Sequence, residues 1–379
     1  MDAARDLEEL YRRVRAVGRH DTGARLFGAN MHGWKVFRLS PEEQAEAEAR
    51  HQLSLPDAYR WWISDGPGAG VGPFYGLLHP LDTERAEGEL DGAIPLSDHG
   101  CGYADYLYTR GERAGQVWVD FREADGPLVT WYPSFERWLD AWLTRAFAEW
   151  GLEYLTATAP KDADERFLTE VDEAMARIDA GVDDPMLAQY PLPADKLRIA
   201  RGRRHLHAQR FDEARAAFDA AAAVSREPDA VRALGECEIA SATSDHAALL
   251  SAADTGLLAQ PLWWISEKQL LLHRVHALEG LARWSEAFEA RVKSAKHDPN
   301  DVKQQLDLVW INVLRKDIDA AADHLLATAQ RGTGCDRNAP LATRIEYLSA
   351  GLLDALRAED MRDQAQQLEA ALATRVAHA

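Results

Sequence analysis

The sequence predicts an α+β N-terminal domain, with a mostly antiparallel or mixed sheet and flanking helices, followed by an all-α array of helical hairpins. Eight of the 12 Trp residues precede residue 151, and short alternating apolar runs typical of β-strands lie in the same half. Ala and Leu dominate after about residue 160. The chain has 379 residues, which is enough for two domains. We expect the first domain at residues 1–150, a linker at 151–166 and the helical domain at 167–379.

Helix signals open the first domain. Apolar side chains recur every three or four residues over 3–17, which predicts an amphipathic helix that ends at Gly18. The segment Ser40–Glu43 combines a Ser N-cap, a Pro in the first turn and two acids near the positive end of the helix dipole. A second short helix should begin near Pro56, and the Gly- and Pro-rich run 66–73 should be a turn.

The strands are predicted from residue alternation. The runs Tyr103–Tyr108 and Gln116–Phe121 are rich in aromatic and β-branched residues and suit a hairpin, because polar and small residues separate them. The second run alternates apolar and polar side chains, which is typical of a half-buried antiparallel strand. The β region is expected over 74–132, and a closing helix over 135–150 carries a regular apolar stripe. That stripe should pack against the sheet; a ligand-binding box is the less favoured alternative.

Several segments of this half resemble the SMI1/KNR4 (SUKH) superfamily, in the same order. The resemblance covers roughly residues 30–148 and rests on LSLPDAYRWWISDGPGAGVGPFYGLLHP (53–80), PLSDHGCGYADYLYTRGERAGQVWVDF (95–121) and FREADGPLVTW followed by SFERWLDAWL (121–143). It implies a non-enzymatic α+β domain. Many bacterial members are immunity proteins that bind and neutralise a toxin, and fungal relatives are regulatory hubs. The residues that carry the motif are Pro56, Tyr59, Gly66, Asp98, His99, Gly100, Gly102, Trp118, Asp120 and Trp138.

The second half resembles tetratricopeptide (TPR) repeats. The phrase RFDEA at 210 returns as RWSEA at 283, more loosely as KDIDAA at 316, and in a degenerate form near 244. A last helical pair is expected over 341–375, which gives four or five hairpins of a stack that typically presents a concave face to partners. Small and aromatic residues that let two helices approach closely fall at the repeat spacing, namely Gly202, Ala214, Phe218 and Ala221.

The net charge of −19 bears on the class of partner. Residues 1–150 hold 16 basic and 25 acidic side chains, and the remainder holds 27 and 37. Nucleic-acid binding requires a basic patch, so the charge argues against it. An acidic body suits a basic protein partner, such as a toxin domain, while a role in solubility alone is the plainer alternative.

Two acidic loops are the candidate partner contacts, and a solvated surface is their alternative reading. A basic N-terminal helix that carries Arg12, Arg13, Arg15 and Arg19 could instead pack on these loops within the same chain. The candidates are Asp82, Glu84, Glu87, Glu89 and Asp91 in the first loop, and Asp120, Arg122, Glu123 and Asp125 in the second.

The segment Asp98–Cys101 places a carboxylate, an imidazole and a thiol close together in sequence. Cys/His catalysis requires these groups within hydrogen-bond distance, but members of a triad usually come from distant segments. A structural turn is therefore favoured over an enzyme that uses Cys101. A metal site built from Asp98, His99 and Asp105 is a further, less favoured alternative. We expect no catalytic residue, no metal and no cofactor.

The compartment is predicted from the cysteines and the apolar segments. Cys101, Cys237 and Cys335 are widely spaced and odd in number, which argues against a disulfide framework and suits a reducing cytoplasm. No signal-peptide core or apolar run of about 18 residues occurs. The favoured function is therefore a cytoplasmic immunity protein that binds a basic toxin; the alternative is a regulatory TPR scaffold without a toxin partner.

Overall fold

The computed structural model describes residues 3–155, 163–181, 184–259, 262–297, 301–331, 340–358 and 361–378. The chain divides into two compact units, Met1–Gln209 and Arg210–Ala379. The first combines a small sheet with helices, and the described part of the second is helical. The coarse fold class predicted from the sequence, α+β followed by a helical array, is confirmed.

Four helices open the first unit, and two of them follow the sequence signals closely. Ser40 forms the predicted cap: its Oγ accepts a hydrogen bond from the Glu43 N–H, and Glu43 accepts one from the Ser40 N–H. The prediction that Gly18 ends the first helix was wrong, because the helix continues to His20. A Cβ at Gly18 would lie only 3.0 Å from the Trp34 ring, so the glycine allows close packing there. The helices are α1 (Ala3–His20), α2 (Ala29–His32), α3 (Pro41–His51) and α4 (Asp57–Ser64).

The sheet is antiparallel. Four strands pair in the order β3-β4-β5-β6, and a two-stranded pair, β1-β2, is linked to them because Leu77 bridges both Gly70 and Ser97. The run 66–73, predicted as a turn, contains β2, since Gly70 adopts a φ of 100° that lets the chain pass close to Lys35. The strands are β1 (Val36–Phe37), β2 (Ala69–Gly70), β3 (Ala93–Gly100), β4 (Tyr103–Tyr108), β5 (Val117–Asp120) and β6 (Leu128–Tyr132).

The core of the first unit lies between the sheet and α5 (Phe135–Tyr154). The predicted apolar stripe of α5 is buried, and Trp138 is completely so. Three further helices follow: α6 (Glu165–Asp179), α7 (Pro185–Gln189) and α8 (Ala194–His207).

The division between the units differs from the predicted linker at 151–166. Helix α5 runs to Tyr154, and Gly151 lies against Met175 and Val171 of α6. Helix α8 also packs on α5 and α6, so the first compact unit extends to Gln209. Residues 156–162 of the predicted linker lie outside the described residues.

The second unit begins with α9 and continues as helical hairpins. Each predicted turn phrase precedes the start of a helix, at Phe211, His246, Trp284 and Ile318. The Phe218 ring lies against Gly235 of the following helix, where any Cβ would collide with it. The predicted hairpin of Gly202 with Ala214, Phe218 and Ala221 is divided between the two units, because Gly202 lies in α8 and the other three residues follow Gln209. The helices are α9 (Phe211–Val224), α10 (Pro228–Ala242), α11 (His246–Leu257), α12 (Trp264–Gly280), α13 (Trp284–Ala295), α14 (Val302–Leu314), α15 (Ile318–Gln330), α16 (Leu341–Ala358) and α17 (Arg362–His378).

A left-handed residue recurs two positions before four of these helices. Gln209, Ser244, Ala282 and Lys316 have φ values of 57°, 56°, 56° and 63°. Such a residue ends a helix and reverses the chain. The repeat is therefore visible in the backbone as well as in the sequence.

Candidate functional site

The two predicted acidic loops leave opposite ends of the paired strands, since Asp91 comes just before β3 and Asp120 ends β5, but they approach each other across the outer face of the sheet. The link is Arg122, whose Nη1 lies 3.4 Å from Oε2 of Glu89 in the first loop. Nearly all of the candidate contact residues are exposed, and Asp120 is half-buried. The structure thus joins two segments that the sequence offered only as separate candidates.

Part of the acidic charge is neutralised within the chain. Asp91 pairs with Arg85 at 3.1 Å and with Arg110 at 2.7 Å. Hydrogen bonds from these two arginines hold the pKa of Asp91 below its ordinary value. Asp120 accepts hydrogen bonds from Nε, Nη2 and the backbone N–H of Arg122, which lower the pKa of Asp120 in the same way. These carboxylates are less available to a partner than the sequence suggested.

The remaining acids of the two loops are not paired with basic side chains of the described chain and are available to a partner. Within the described part of the chain, these side chains have no basic partner within ion-pair distance. They are Asp82, Glu84, Glu87, Glu123 and Asp125.

Aromatic side chains lie beside these acids on the outer face of the sheet, where they pack against a small cluster that includes Ala86 and Leu90 of the first loop. Tyr106 and Trp118 are cross-strand partners on β4 and β5, and both are half-buried. The guanidinium of Arg113 lies 4.2 Å from the centre of the Trp118 ring. Burial and the nearby carboxylate of Asp120 raise the pKa of Tyr106. We call Tyr106, Trp118 and the two loops the acidic–aromatic surface.

The arginines of the basic N-terminal helix, α1, form their ion pairs outside the two acidic loops. Arg12 binds Glu9 and Glu170, each at 2.5 Å. Arg13 binds Asp140 at 2.6 Å. Among the described ion pairs, none joins α1 to the loop at 82–91, so the self-pairing alternative does not account for the acidic charge there.

A buried polar cluster lies on the opposite, inner face of the sheet. The carboxylate of Asp105 accepts hydrogen bonds from Ser97 Oγ at 2.7 Å and from Trp138 Nε1 at 3.2 Å. Nε2 of His99 lies 2.9 Å from the same oxygen, and the Phe74 ring stacks on the imidazole at 3.5 Å. Sequence analysis named Asp105 only as a conceivable metal ligand, although its place between core residues of an alternating strand indicates an inward side chain.

The segment Asp98–Cys101 is the end of β3 and the first residue of the turn to β4, and its side chains do not converge as a triad. Asp98 Oδ1 accepts a hydrogen bond of 2.6 Å from the N–H of Gly100. Cys101 is exposed at a φ of 55°, whereas the His99 side chain is buried against Asp105. Across the described residues, no group of three or more His, Cys, Asp and Glu side chains is arranged to hold a metal. Cys335 lies outside the described residues.

The other motif residues occupy structural positions. Pro56 precedes the first turn of α4, and Tyr59 is fully buried in the core. The carbonyl of Gly66 accepts a hydrogen bond from Arg38 Nε. Gly102, with a φ of 78°, leaves room for the Glu123 side chain.

Five large apolar side chains between α1 and β3 are exposed, a feature that the sequence patterns did not indicate. These side chains are 40–61% exposed. The Phe27 and Tyr75 rings are 6.4 Å apart. In the same part of the chain, His32 is buried, its Nδ1 accepts a hydrogen bond from the Trp34 N–H, and burial lowers its pKa to about 4. The exposed side chains are Phe27, Met31, Val36, Phe37 and Tyr75.

The second unit exposes apolar residues where its hairpins meet. Leu258 is 82% exposed and Trp263 is 49% exposed. The Trp263 N–H donates to Glu227 at 2.9 Å, which places this turn beside the start of α10. Gln260 and Pro261, which precede it, lie outside the described residues.

The comparisons with known proteins found no family model and no curated protein that matches this chain. Among the described helices, none is both long and apolar enough to cross a membrane.

Proposed function

We propose that this protein is a non-enzymatic binding protein, most simply an immunity protein of SUKH type that neutralises a basic toxin in the cytoplasm. The observation that carries the proposal is the acidic–aromatic surface. Its half-buried Tyr106 and Trp118 are of the residue classes enriched at binding hot spots. The charged loops around them resemble the polar rim of a protein interface.

The charge of the surface favours a basic partner. Asp82, Glu84 and Glu87 are exposed and unpaired among the described residues, and the chain as a whole is strongly acidic. Complementary charges accelerate association and make it dependent on salt. Neutralisation would follow from steric coverage of the active or substrate-binding face of the toxin, and no chemical step is required.

The experiment is capture of the tagged full-length protein from its native cells, followed by calorimetry with the purified partner. We expect one basic partner in near-stoichiometric amount, with an affinity that falls as salt is added. Reversal of charge at Asp82, Glu84 and Glu87, or Trp118→Ala, should weaken binding by at least about ten-fold, the effect of a single hot spot.

Phe37→Glu is the matched control, since it alters an exposed apolar side chain outside the acidic–aromatic surface. Loss of binding in this variant, with wild-type affinity in the Trp118 and charge-reversal variants, would refute the assigned surface. A partner without toxic activity would refute the immunity role.

A regulatory scaffold is the second candidate. The observation in its favour is the exposure of Leu258 and Trp263, which both lie in the connection between α11 and α12. Under this alternative the helical repeats recruit a peptide of a housekeeping protein. Trp263→Ala would then abolish capture of the partner, whereas Trp118→Ala would leave it unchanged.

A further inference from the structure

A basic cavity opens between α1 and the start of α6 in the first unit. Its volume is about 430 Å³, which is within the range of small-molecule sites. Four arginines and one tyrosine dominate its wall: Arg12, Arg15, Arg19, Arg166 and Tyr11.

Three of these arginines are available to a ligand. Arg12 is occupied, because it binds the carboxylates of Glu9 and Glu170. Within the described residues, Arg15, Arg19 and Arg166 have no carboxylate within ion-pair distance. The guanidinium of Arg15 lies 5.8 Å from the centre of the Tyr11 ring. This arrangement is unusual in a chain whose 62 acidic side chains outnumber its 43 basic ones.

Two carboxylates also line the cavity, and they differ in availability. Oδ1 of Asp164 accepts a hydrogen bond of 2.8 Å from the Phe167 N–H and caps α6. Glu8 is exposed and is the acid that can compete with a ligand for the arginines.

A neighbouring cavity provides an internal contrast. It has a volume of about 520 Å³ and shares Arg12 and Arg166 with the first. Its other basic residues are already paired, Arg13 with Asp140 and Arg177 with the same aspartate at 3.7 Å. Positive charge without a partner is therefore concentrated in the cavity of Arg15 and Arg19.

The ligand class follows from the charge and the size. A polyanion such as nucleic acid would be repelled by a chain of net charge −19. A small anion responds mainly to charges within roughly 10 Å, the screening length at moderate salt. Guanidinium groups bind phosphate oxygens through paired hydrogen bonds and stay charged at all ordinary pH values.

We infer that this cavity binds a small, multiply charged phosphate-bearing molecule, and that Arg15, Arg19 and Arg166 bind its phosphate oxygens. Tyr11 supplies an adjacent aromatic ring. The inference is independent of the proposed binding function, because it concerns a different face of the first unit and a different class of ligand.

The test is isothermal titration calorimetry of the full-length protein with inorganic pyrophosphate at about 0.1 M salt, where the screening length is roughly 10 Å. We expect saturable binding that weakens with added salt, and a rise in the melting temperature of the first unit. Arg19→Ala and Arg166→Ala should each weaken binding by roughly ten-fold, since each removes a hydrogen bond between charged groups. Glu8→Gln should strengthen binding, because it removes the competing carboxylate.

Arg137→Ala is the matched control, because Arg137 is an exposed arginine of the same unit that does not line the cavity. All three arginines of the test and control variants are exposed, and circular dichroism verifies the fold. Absence of saturable binding would overturn the inference. Equal affinity for citrate would show that the site has no preference for phosphate. An equal loss of affinity in the Arg137 variant would show that binding is not located at this cavity.

Discussion

Nη1 of Arg122 lies 3.4 Å from Oε2 of Glu89, a residue 33 positions earlier in the sequence, and so connects the two acidic loops. The same guanidinium is held by the carboxylate of Asp120 at 2.7 Å. The acidic–aromatic surface is thus organised by one basic residue, and its geometry depends on that residue.

We expect Arg122→Ala to destabilise the protein by up to about 1 kcal/mol at neutral pH, because the pair is partly exposed to solvent. The pKa of Asp120 is lowered by Arg122, so this stabilisation is present above the pKa of the unfolded carboxyl and is lost as the pH falls through the lower native value. Urea unfolding of both proteins at pH ~7 and pH ~3 measures the difference. A difference that does not depend on pH would contradict this account.

Removal of the Asp105 carboxylate should have a much larger effect. Asp105→Ala leaves the buried Ser97 hydroxyl and Trp138 indole N–H without their acceptor in the core, and we expect a loss of about 2–5 kcal/mol. Asp105→Asn should cost less, since an amide oxygen can still accept from Ser97 and Trp138. Denaturant unfolding followed by Trp fluorescence measures both. The exposed control Asp125→Ala should stay within about 0.5 kcal/mol of the wild type, and a similar loss there would contradict a special role for Asp105.

His32 should make the first unit sensitive to acid. Burial lowers its pKa from 6.5 to about 4, and its Nδ1 must stay unprotonated to accept the Trp34 N–H. The folded pKa lies below the unfolded one, so the stabilisation is complete above pH ~6.5 and is lost progressively between pH ~6.5 and ~4. Relative to His32→Asn, the wild type should lose up to about 3 kcal/mol over this interval. If the free energy of unfolding depends on pH in the same way for the wild type and for His32→Asn, this effect is excluded.

Ala282→Gly should stabilise the helical unit. Ala282 is exposed and has a φ of 56°, a conformation that costs a side-chain-bearing residue about 1 kcal/mol relative to glycine. The matched control is Ala216→Gly, an identical chemical change at an exposed position inside α9, which should destabilise by up to about 1 kcal/mol. Thermal unfolding should give a higher melting temperature for Ala282→Gly and a lower one for Ala216→Gly. A shift of the melting temperature in the same direction for both variants would contradict the assigned backbone conformation.

Local patterns of the sequence determined much of the secondary structure. Ser40 and Glu43 define a helix start through groups only three residues apart, and the alternation of Val117 to Asp120 defines a strand through its own period. The repeated turn phrases likewise predicted where four helices of the second unit begin. Each of these signals depends only on residues that are close along the chain, so it can be recognised from one sequence alone.

Only the tertiary structure decided which distant groups meet. Gly18 lies inside its helix, where the missing Cβ lets the Trp34 ring pack closely. Arg122 rather than α1 approaches the first acidic loop, and Asp105 meets His99 and Trp138 beneath the sheet. The sequence by itself therefore determined most helices and strands and the net charge of this protein. Folding decided which of the charged side chains are paired and which are not. Pairing depends on distances of a few ångström between residues that the chain order leaves far apart.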